Sequence, residues 1–392
     1  MKITFITGHL CKERHALLNE LALDLGENGA EVTILTGFPS RRISNEVREY
    51  YLNHPVEQIS KNVVVKRIGS KKGEGKGLFV RMIKYLFLTR KLYKQAKKTP
   101  TDVYYIYSSP PFLGWIGAKL SKIAPTVYNA QDLFPDSLIK IKNFSEKNLL
   151  IKYLRKREEQ VYKKNTKIIT ISNEMKQTIV NAGCDESKVS VIYNWADVDK
   201  LYHVERKDNL LMDELKIDKS KFIVSYAGDI GLFQGWDFII ETAKKLQTLN
   251  SDIHFDIIGN GSYKETFEKR IKDENITNIS LYPIQPASRL PEIYSIGDLE
   301  LVSIESGVSK IALPSKTFVI MATGSPILSI VDQTSDVASI IKEENAGYTI
   351  GHGDVDALVD LIQNAYKNRD NLAQMGKNAR KYPSAQETDI SH

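Results

Sequence analysis

Two cysteines in 392 residues, Cys11 and Cys184, stand too far apart for a disulfide framework and lack the CxxC spacing of a zinc site. Their scarcity fits a reducing cytoplasm. No apolar run approaches the roughly 20 residues that a spanning helix needs, which restricts any membrane contact to the periphery. The N-terminal run ITFIT is too short for a signal-peptide core and is followed at once by the polar GHLCKER, so it reads as a first strand. Neither the Rossmann GxGxxG spacing nor a P-loop occurs, and neither a dinucleotide cofactor nor ATP hydrolysis is indicated. Internal repeats and low-complexity tracts are also missing.

What remains is globular composition: 42% apolar and 26% charged residues, with glycine and proline near their usual levels. A chain of 392 residues exceeds the size at which one core keeps growing, so two domains are expected. The net charge of +6 is modest, but basic residues crowd the first half. One run from Lys71 to Lys98 includes Lys72, Lys76, Arg81, Lys84, Arg90, Lys91, Lys94 and Lys97 against the single Glu74, and a second extends from Lys140 to Lys167.

Short β-rich runs alternate with helical patterns from the start: KITFIT, then HALLNELALDLGENG, then EVTILTG. That order is a βαβ unit and implies a parallel sheet covered by helices, with Gly29 at a helix C-terminal cap. VVVKRI, DVYYIYS, TVYNAQ and KIITIS continue the strands, and GWIGAKLSKI and IKYLRKREEQVYKK supply helices. The run VSVIYNWADVDKLY passes from strand into polar connector, which places the junction near residue 200. The rhythm then restarts with FIVSYAGDI, IHFDIIGNG, NISLYPI, LELVSI and SPILSIV. The expected architecture is two doubly wound parallel-sheet domains, residues 1–200 and 201–375, followed by a polar tail at 376–392 whose preceding helix could cross back to the first domain. Two such domains facing each other leave a central cleft at the carboxyl ends of their strands, where ligands favour binding.

Three turns carry candidate chemistry. In LPSKTFVIMATGSPIL, Pro314 and Ser315 suit the start of a helix, whose free N–H groups and dipole favour a phosphate. Lys316 opposes that dipole, and an anionic ligand would explain its placement; an ordinary solvated lysine is the alternative. In SYAGDIGLFQGW, Gly228 and Gly231 allow backbone to approach an oxyanion, or simply ease a βα turn. In FDIIGNGSY, Gly259, Asn260 and Gly261 again follow a strand and could line a nucleotide pocket. Elsewhere, His9 and His15 bracket the first loop without metal-ligand spacing, and Asp132 in DLFP reads either as functional or as a turn residue. Glu305 faces the same sheet edge as the glycine turns, Trp236 reads as packing, and Cys184 as an inert thiol.

Taken in order, AGDIG, IIGNG, IYSIGDLELV, PSKTF and MATGSPIL resemble glycosyltransferase family 4 of the GT-B fold, and more narrowly the bacterial polysaccharide subgroup that includes N-acetyl-L-fucosamine transferases. YNAQDLFPDSL resembles that subgroup's QDLWP segment, and VIYNWADVD its interdomain VIPNWVD. The resemblance puts Gly228 and Gly231 beside the donor diphosphate, and Pro314, Ser315, Lys316 and Thr317 near its phosphates. The turn Gly259, Asn260, Gly261 and the strand end from Tyr282 through Ile284 and Gln285 would face the nucleoside. Gly8, His9, Gln131 and Asp132 would lie on the acceptor side, with Asp132 and Lys316 as the catalytic pair. Oriented N–H groups and a lysine can stabilise a nucleoside diphosphate leaving group without a metal, so no metal and no cofactor beyond the UDP-sugar substrate is expected. The chain departs from the family's Glu-x7-Glu pair, having Ile311 and Val319 there, from its basic residue after the first glycine turn, where GLFQGW stands, and from its glycine-rich N-terminal loop, replaced by GHLCKERH.

The implied enzyme is a retaining glycosyltransferase. It would move an N-acetylated hexosamine such as FucNAc from a UDP-sugar to a lipid-linked or saccharide acceptor, for example an undecaprenyl-diphosphate-linked sugar, in capsule, O-antigen or other surface polysaccharide synthesis. A UDP-sugar 2-epimerase shares the architecture but needs acid–base carboxylates and histidines that the PSK and QDLFP segments do not suggest. A non-catalytic or nucleic-acid-binding protein is the other rival, yet no groove-reading motif accompanies the charge and no nucleic acid partner is expected. From Gly77 to Lys98, Leu78, Phe79, Met82, Ile83, Leu86 and Phe87 recur at helical spacing among basic residues. Such a helix can lie in an anionic lipid interface, which places the protein in the cytoplasm at the inner face of the membrane; a packing helix with solvated lysines is the alternative.

Overall fold

The computed structural model describes residues 1–11, 16–39, 43–71, 78–110, 112–142 and 144–390. Packing divides the chain into two units, Met1–Tyr193 and Asn194–His392.

In the first unit, β1 (Lys2–His9), α1 (Ala16–Glu27), β2 (Glu31–Gly37) and α2 (Asn45–Asn53) lead to a hairpin, β3 (Val56–Ser60) and β4 (Val63–Arg67). Then come α3 (Leu78–Ala96), β5 (Val103–Tyr107), α4 (Leu113–Leu120), β6 (Thr126–Ala130), α5 (Asp136–Lys142), α6 (Leu149–Lys164), β7 (Lys167–Thr170), α7 (Asn173–Asn181) and β8 (Val189–Val191). The eight strands lie in the order β3-β4-β2-β1-β5-β6-β7-β8. Strand β1 sits inside the sheet and is buried on both faces, which is why KITFIT reads as a continuous apolar run rather than an alternation. Helix α1 ends at Gly29, whose φ of +86° follows the cap expectation, and Ala30 N–H returns to the Leu25 carbonyl at 2.9 Å. The sheet is parallel apart from one edge strand: β3 runs antiparallel to β4 because only Lys61 and Asn62 connect them, too few residues for a parallel crossover.

The second unit opens with α8 (Leu210–Leu215) and β9 (Phe222–Asp229), followed by α9 (Trp236–Leu249), β10 (Ile253–Asn260), α10 (Lys264–Asp273), β11 (Ile279–Tyr282) and the single turn α11 (Leu290–Ile293). It continues through β12 (Leu299–Ser303), α12 (Lys316–Thr323), β13 (Ile327–Ile330), α13 (Asp336–Glu343), β14 (Gly347–Ile350), α14 (Val355–Lys367) and α15 (Asp370–Ile390). Its strands, in the order β11-β10-β9-β12-β13-β14, are all parallel. Phe222, Tyr226, Trp236, Ile239, Ile240, Phe255, Ile257 and Phe267 pack together as the centre of this unit's core. The last helix, α15, passes through Pro383, and its Arg380 donates to the carbonyls of Val198 at 2.9 Å and Leu201 at 2.6 Å.

Both sheets are doubly wound. The order reverses between β1 and β5 in the first unit and between β9 and β12 in the second. At such a switch point the connecting helices diverge to opposite faces and leave a crevice outside the strand ends.

Candidate functional site

In the second unit the glycine turns are built around each other. Strands β9 and β10 run in register to their last residues, pairing Gly228 with Gly259 and Asp229 with Asn260. Beyond them Ile230 N–H donates to the Asn260 carbonyl at 3.0 Å, and Tyr263 N–H donates to the Ile230 carbonyl at 2.9 Å. A Cβ on Gly259 would come within 2.1 Å of the Gly228 oxygen, and one on Gly261 within 2.2 Å of the Ile230 oxygen. Both glycines are therefore required by the close approach of two chains, whatever else they serve. Asn260 is exposed, and its Oδ1 accepts from Gly261 N–H at 2.9 Å. Trp236 packs as expected: its ring lies edge-on to Tyr226, and its indole N–H holds the Gly231 carbonyl at 3.0 Å.

The PSK segment reaches the same crevice. Ser315 is the exposed N-cap of α12, without a side-chain capping bond, and Thr317 is buried with its hydroxyl donating to the Pro314 carbonyl at 2.8 Å. Lys316 is not a solvated lysine on an ordinary cap. Its ammonium is buried without a hydrogen-bond partner and lies 3.3 Å from the centroid of the Tyr226 ring. Burial holds the amine well below its usual pKa, and Glu300 pulls it back up. A buried cation on an aromatic face, at the positive end of a helix dipole, can meet an incoming anion.

Other residues assigned to the donor are less concentrated. Ile284 stands 71% exposed, and the Gln285 amide folds back to the Pro283 carbonyl at 2.9 Å, so both lie open on the loop after β11. Tyr282 instead lines a cavity of about 350 Å³ with His254, Asp256 and Ser280. Glu305 borders a different cavity, of about 300 Å³, with Trp236, Tyr263, Ser306 and His352. The adjoining loop is tied down by Asp332, which accepts from Ser306 Oγ and Gly307 N–H, each at 2.6 Å. Ile311, at the first position of the absent glutamate pair, is buried.

In the first unit the residues expected on the acceptor side lie at the ends of β1 and β6. Gly8 N–H donates to the Ser109 carbonyl at 2.8 Å, and a Cβ there would overlap Pro110 Cδ at 2.0 Å. The His9 ring meets Tyr85 edge-on, with centroids 5.8 Å apart. Gln131 N–H donates to Ser108 Oγ at 3.0 Å, and its side-chain amide to Asn129 Oδ1 at 2.9 Å. Asp132 reaches solvent, but the residues around its carboxyl remove enough water to push its pKa above the ordinary carboxylate range. Asp136, four positions on in the same motif, is instead gripped by both guanidinium nitrogens of Arg155 at 2.7 and 2.8 Å. His15 lies outside the described residues. Cys184 is a buried thiol pushed up by that burial, and Cys11 is buried as well.

Two residues escaped the sequence reading. Tyr226 forms the seat of Lys316, and Glu300, fully buried in β12, supplies the nearby negative charge. A signal for the second existed, since a lone carboxylate within the run LELVS is out of place in a strand buried on both faces.

Residues 15–200 match the model of Glycosyltransferase Family 4, and residues 208–382 that of Glycosyl transferases group 1. The two parallel-sheet units form a GT-B fold. A structure of Anabaena Alr3699/HepE in complex with UDP-glucose superposes with a TM-score of 0.71 at 15% identity, covering 98% of this chain and 95% of that one. A putative colanic acid biosynthesis glycosyl transferase, WcaI of Escherichia coli K12, is 28% identical over 176 residues, 45% of this chain but only 43% of that protein. A UDP-Gal:alpha-D-GlcNAc-diphosphoundecaprenol alpha-1,3-galactosyltransferase of Escherichia coli is 25% identical over 276 residues, 69% of this chain and 68% of that protein. The two matched segments together take in most of the chain, which thus resembles family 4 glycosyltransferases while spanning less than half the length of WcaI.

Proposed function

We propose that the chain transfers a sugar from a UDP-sugar to a lipid-linked or saccharide acceptor during bacterial surface polysaccharide synthesis, with retention at the anomeric carbon. The observation that carries this reading is Lys316: a buried, unpartnered ammonium at the head of α12, in the unit that also holds the interlocked glycine turns. As the bond between the sugar and the diphosphate breaks, negative charge grows on the leaving oxygen. An ammonium and fixed N–H groups stabilise that charge with no metal required. The acceptor hydroxyl attacks from the same face and passes its proton to the leaving phosphate, so Asp132 orients the acceptor or steadies positive charge on the sugar rather than acting as a strong base. An N-acetylated hexosamine such as FucNAc is the proposed sugar. An undecaprenyl-diphosphate-linked saccharide is the proposed acceptor, in keeping with the substrate named for the galactosyltransferase relative. The exposed Ile83, Leu86 and Phe87 of α3, beside Arg90, Lys91 and Lys94, support docking at the cytoplasmic face of an anionic membrane.

The test is a donor screen with purified protein and a lipid-diphosphate sugar acceptor, run alongside Lys316→Ala. Product should form with at least one UDP-sugar, and the variant should lose donor binding by about 1.5–3 kcal/mol, the loss of one charge-assisted contact. Wild-type kinetics in the variant would end the phosphate assignment. Isomerised donor in the absence of acceptor would replace transfer with epimerisation.

A further inference from the structure

Glu300 is fully buried in the run LELVS of β12, paired in register with Ser225 of β9, the residue before Tyr226. One carboxylate oxygen accepts from Gly297 N–H at 2.9 Å, and the other is buried with no close partner, although the Ser225 hydroxyl stands near enough to help hold the carboxyl charged. The Lys316 ammonium, which rests on the Tyr226 ring, is likewise unpartnered. Both groups lie where β9 and β12 diverge, and α12 packs against β12.

A ring face alone compensates poorly for the water an ammonium gives up on burial, so a buried lysine tends to lose its proton unless an opposite charge stands near. Glu300 is that charge. Asp298, the other carboxylate near it, is committed to Arg206 at 2.7 Å and Arg369 at 2.6 Å, and it acts on Glu300 by repulsion. Among the described residues, the buried phenol of Tyr294 is a further ionisable neighbour of Glu300. For packing alone an apolar side chain in β12 would serve as well as a glutamate, because a buried charge is costly unless it answers another.

We propose that Glu300 is a positioning residue for the donor: it holds Lys316 as an ammonium at the head of α12, ready for the diphosphate. This rests on the reading of Lys316 as the phosphate ligand. The directions of the two titrations agree with it. Burial lowers the lysine and raises the glutamate, while each group opposes the shift of the other. Removing the carboxylate leaves burial alone to act on Lys316, so the amine sheds its proton at a lower pH.

Calorimetric titration of UDP between pH 6.5 and 9 tests this with wild type, Glu300→Gln, Glu300→Asp, Lys316→Ala and the Glu300→Gln/Lys316→Ala double variant. Glu300→Gln should bind like wild type at the acid end and about tenfold more weakly near pH 8, corresponding to one decade less ammonium. Glu300→Asp should fall between them. In the Lys316→Ala background Glu300→Gln should cost nothing further. If Lys316→Ala weakens binding while the Glu300→Gln and Glu300→Asp profiles superimpose on wild type, Glu300 only packs and the inference is wrong. Unchanged UDP binding in Lys316→Ala would overturn the phosphate reading and this inference together. Should Glu300→Gln fail to fold, the Glu300→Asp profile alone decides between the two outcomes.

Discussion

Asp132 and Asp136 belong to one motif and do different work. Asp136 is held by Arg155, which also binds Glu146 at 2.8 Å and Glu158 at 3.0 Å and so ties α5 to α6. Asp132 has no such clamp, and its raised pKa comes from lost water rather than from a partner. Asp132→Asn is therefore expected to leave UDP affinity unchanged and to lower turnover more than about tenfold, an effect on orientation in the transition state rather than on ground-state binding. Parallel losses of UDP affinity and turnover would put Asp132 in a different role. The residue types were legible as motifs, so Lys316 and the glycines of the second unit, and Asp132 of the first, could be named from sequence. The partners of Lys316 were not, because Tyr226 and Glu300 meet it only through strand register and helix packing. Nothing in the spacing of PSK shows that its lysine turns inward onto a ring ninety positions earlier in the chain.

At the level of elements, the glycine turns act as a single joint in which each chain fills the space where the other would carry a side chain. Gly259→Ala or Gly261→Ala forces a methyl into backbone oxygen, and the expected cost is about 1–3 kcal/mol of stability, with weaker UDP binding as the joint opens. Thermal unfolding with and without UDP checks this; a variant with wild-type Tm and affinity would mean that the joint can relax freely. Buried parallel strands were readable because they are short apolar runs bounded by turn residues, and β1, β2, β9, β10 and β13 all follow that rule. The edge strand β3 was not readable, since VEQIS has no buried residue to set a pattern. Helix α15 carries Pro383 and few large apolar residues, so the sequence shows no clear face by which it packs. Its docking rests partly on one arginine and backbone carbonyls, a contact that leaves no hydrophobic period to detect.

For the whole molecule, the proposed membrane face combines the basic first half with the exposed apolar row of α3. Helix α3 buries Leu92, Ala96 and Thr89 and turns Val80, Ile83, Leu86 and Phe87 outward, with Phe87 61% exposed beside exposed Arg90, Lys91 and Lys94. Lys72 and Lys76 of the same charged run lie outside the described residues. A packing helix with solvated lysines is the alternative, and lipid binding separates the two. Vesicle flotation should show binding that requires anionic lipid and weakens with salt, since each basic residue near the surface contributes roughly 1 kcal/mol. Replacing Lys84, Arg90, Lys91 and Lys94 by Gln should abolish it, and undiminished flotation of that variant would rule out the charged face as the anchor. The reach of Arg380 back to Val198 and Leu201 has a different kind of consequence, for recombination between related enzymes. The strand of chain just after Tyr193 is held by the last helix, so it travels with the second unit. A hybrid that exchanges first units across a breakpoint between Tyr193 and Asn194 inherits this clasp whole, whereas a crossover a dozen residues later separates Arg380 from the carbonyls shaped to receive it.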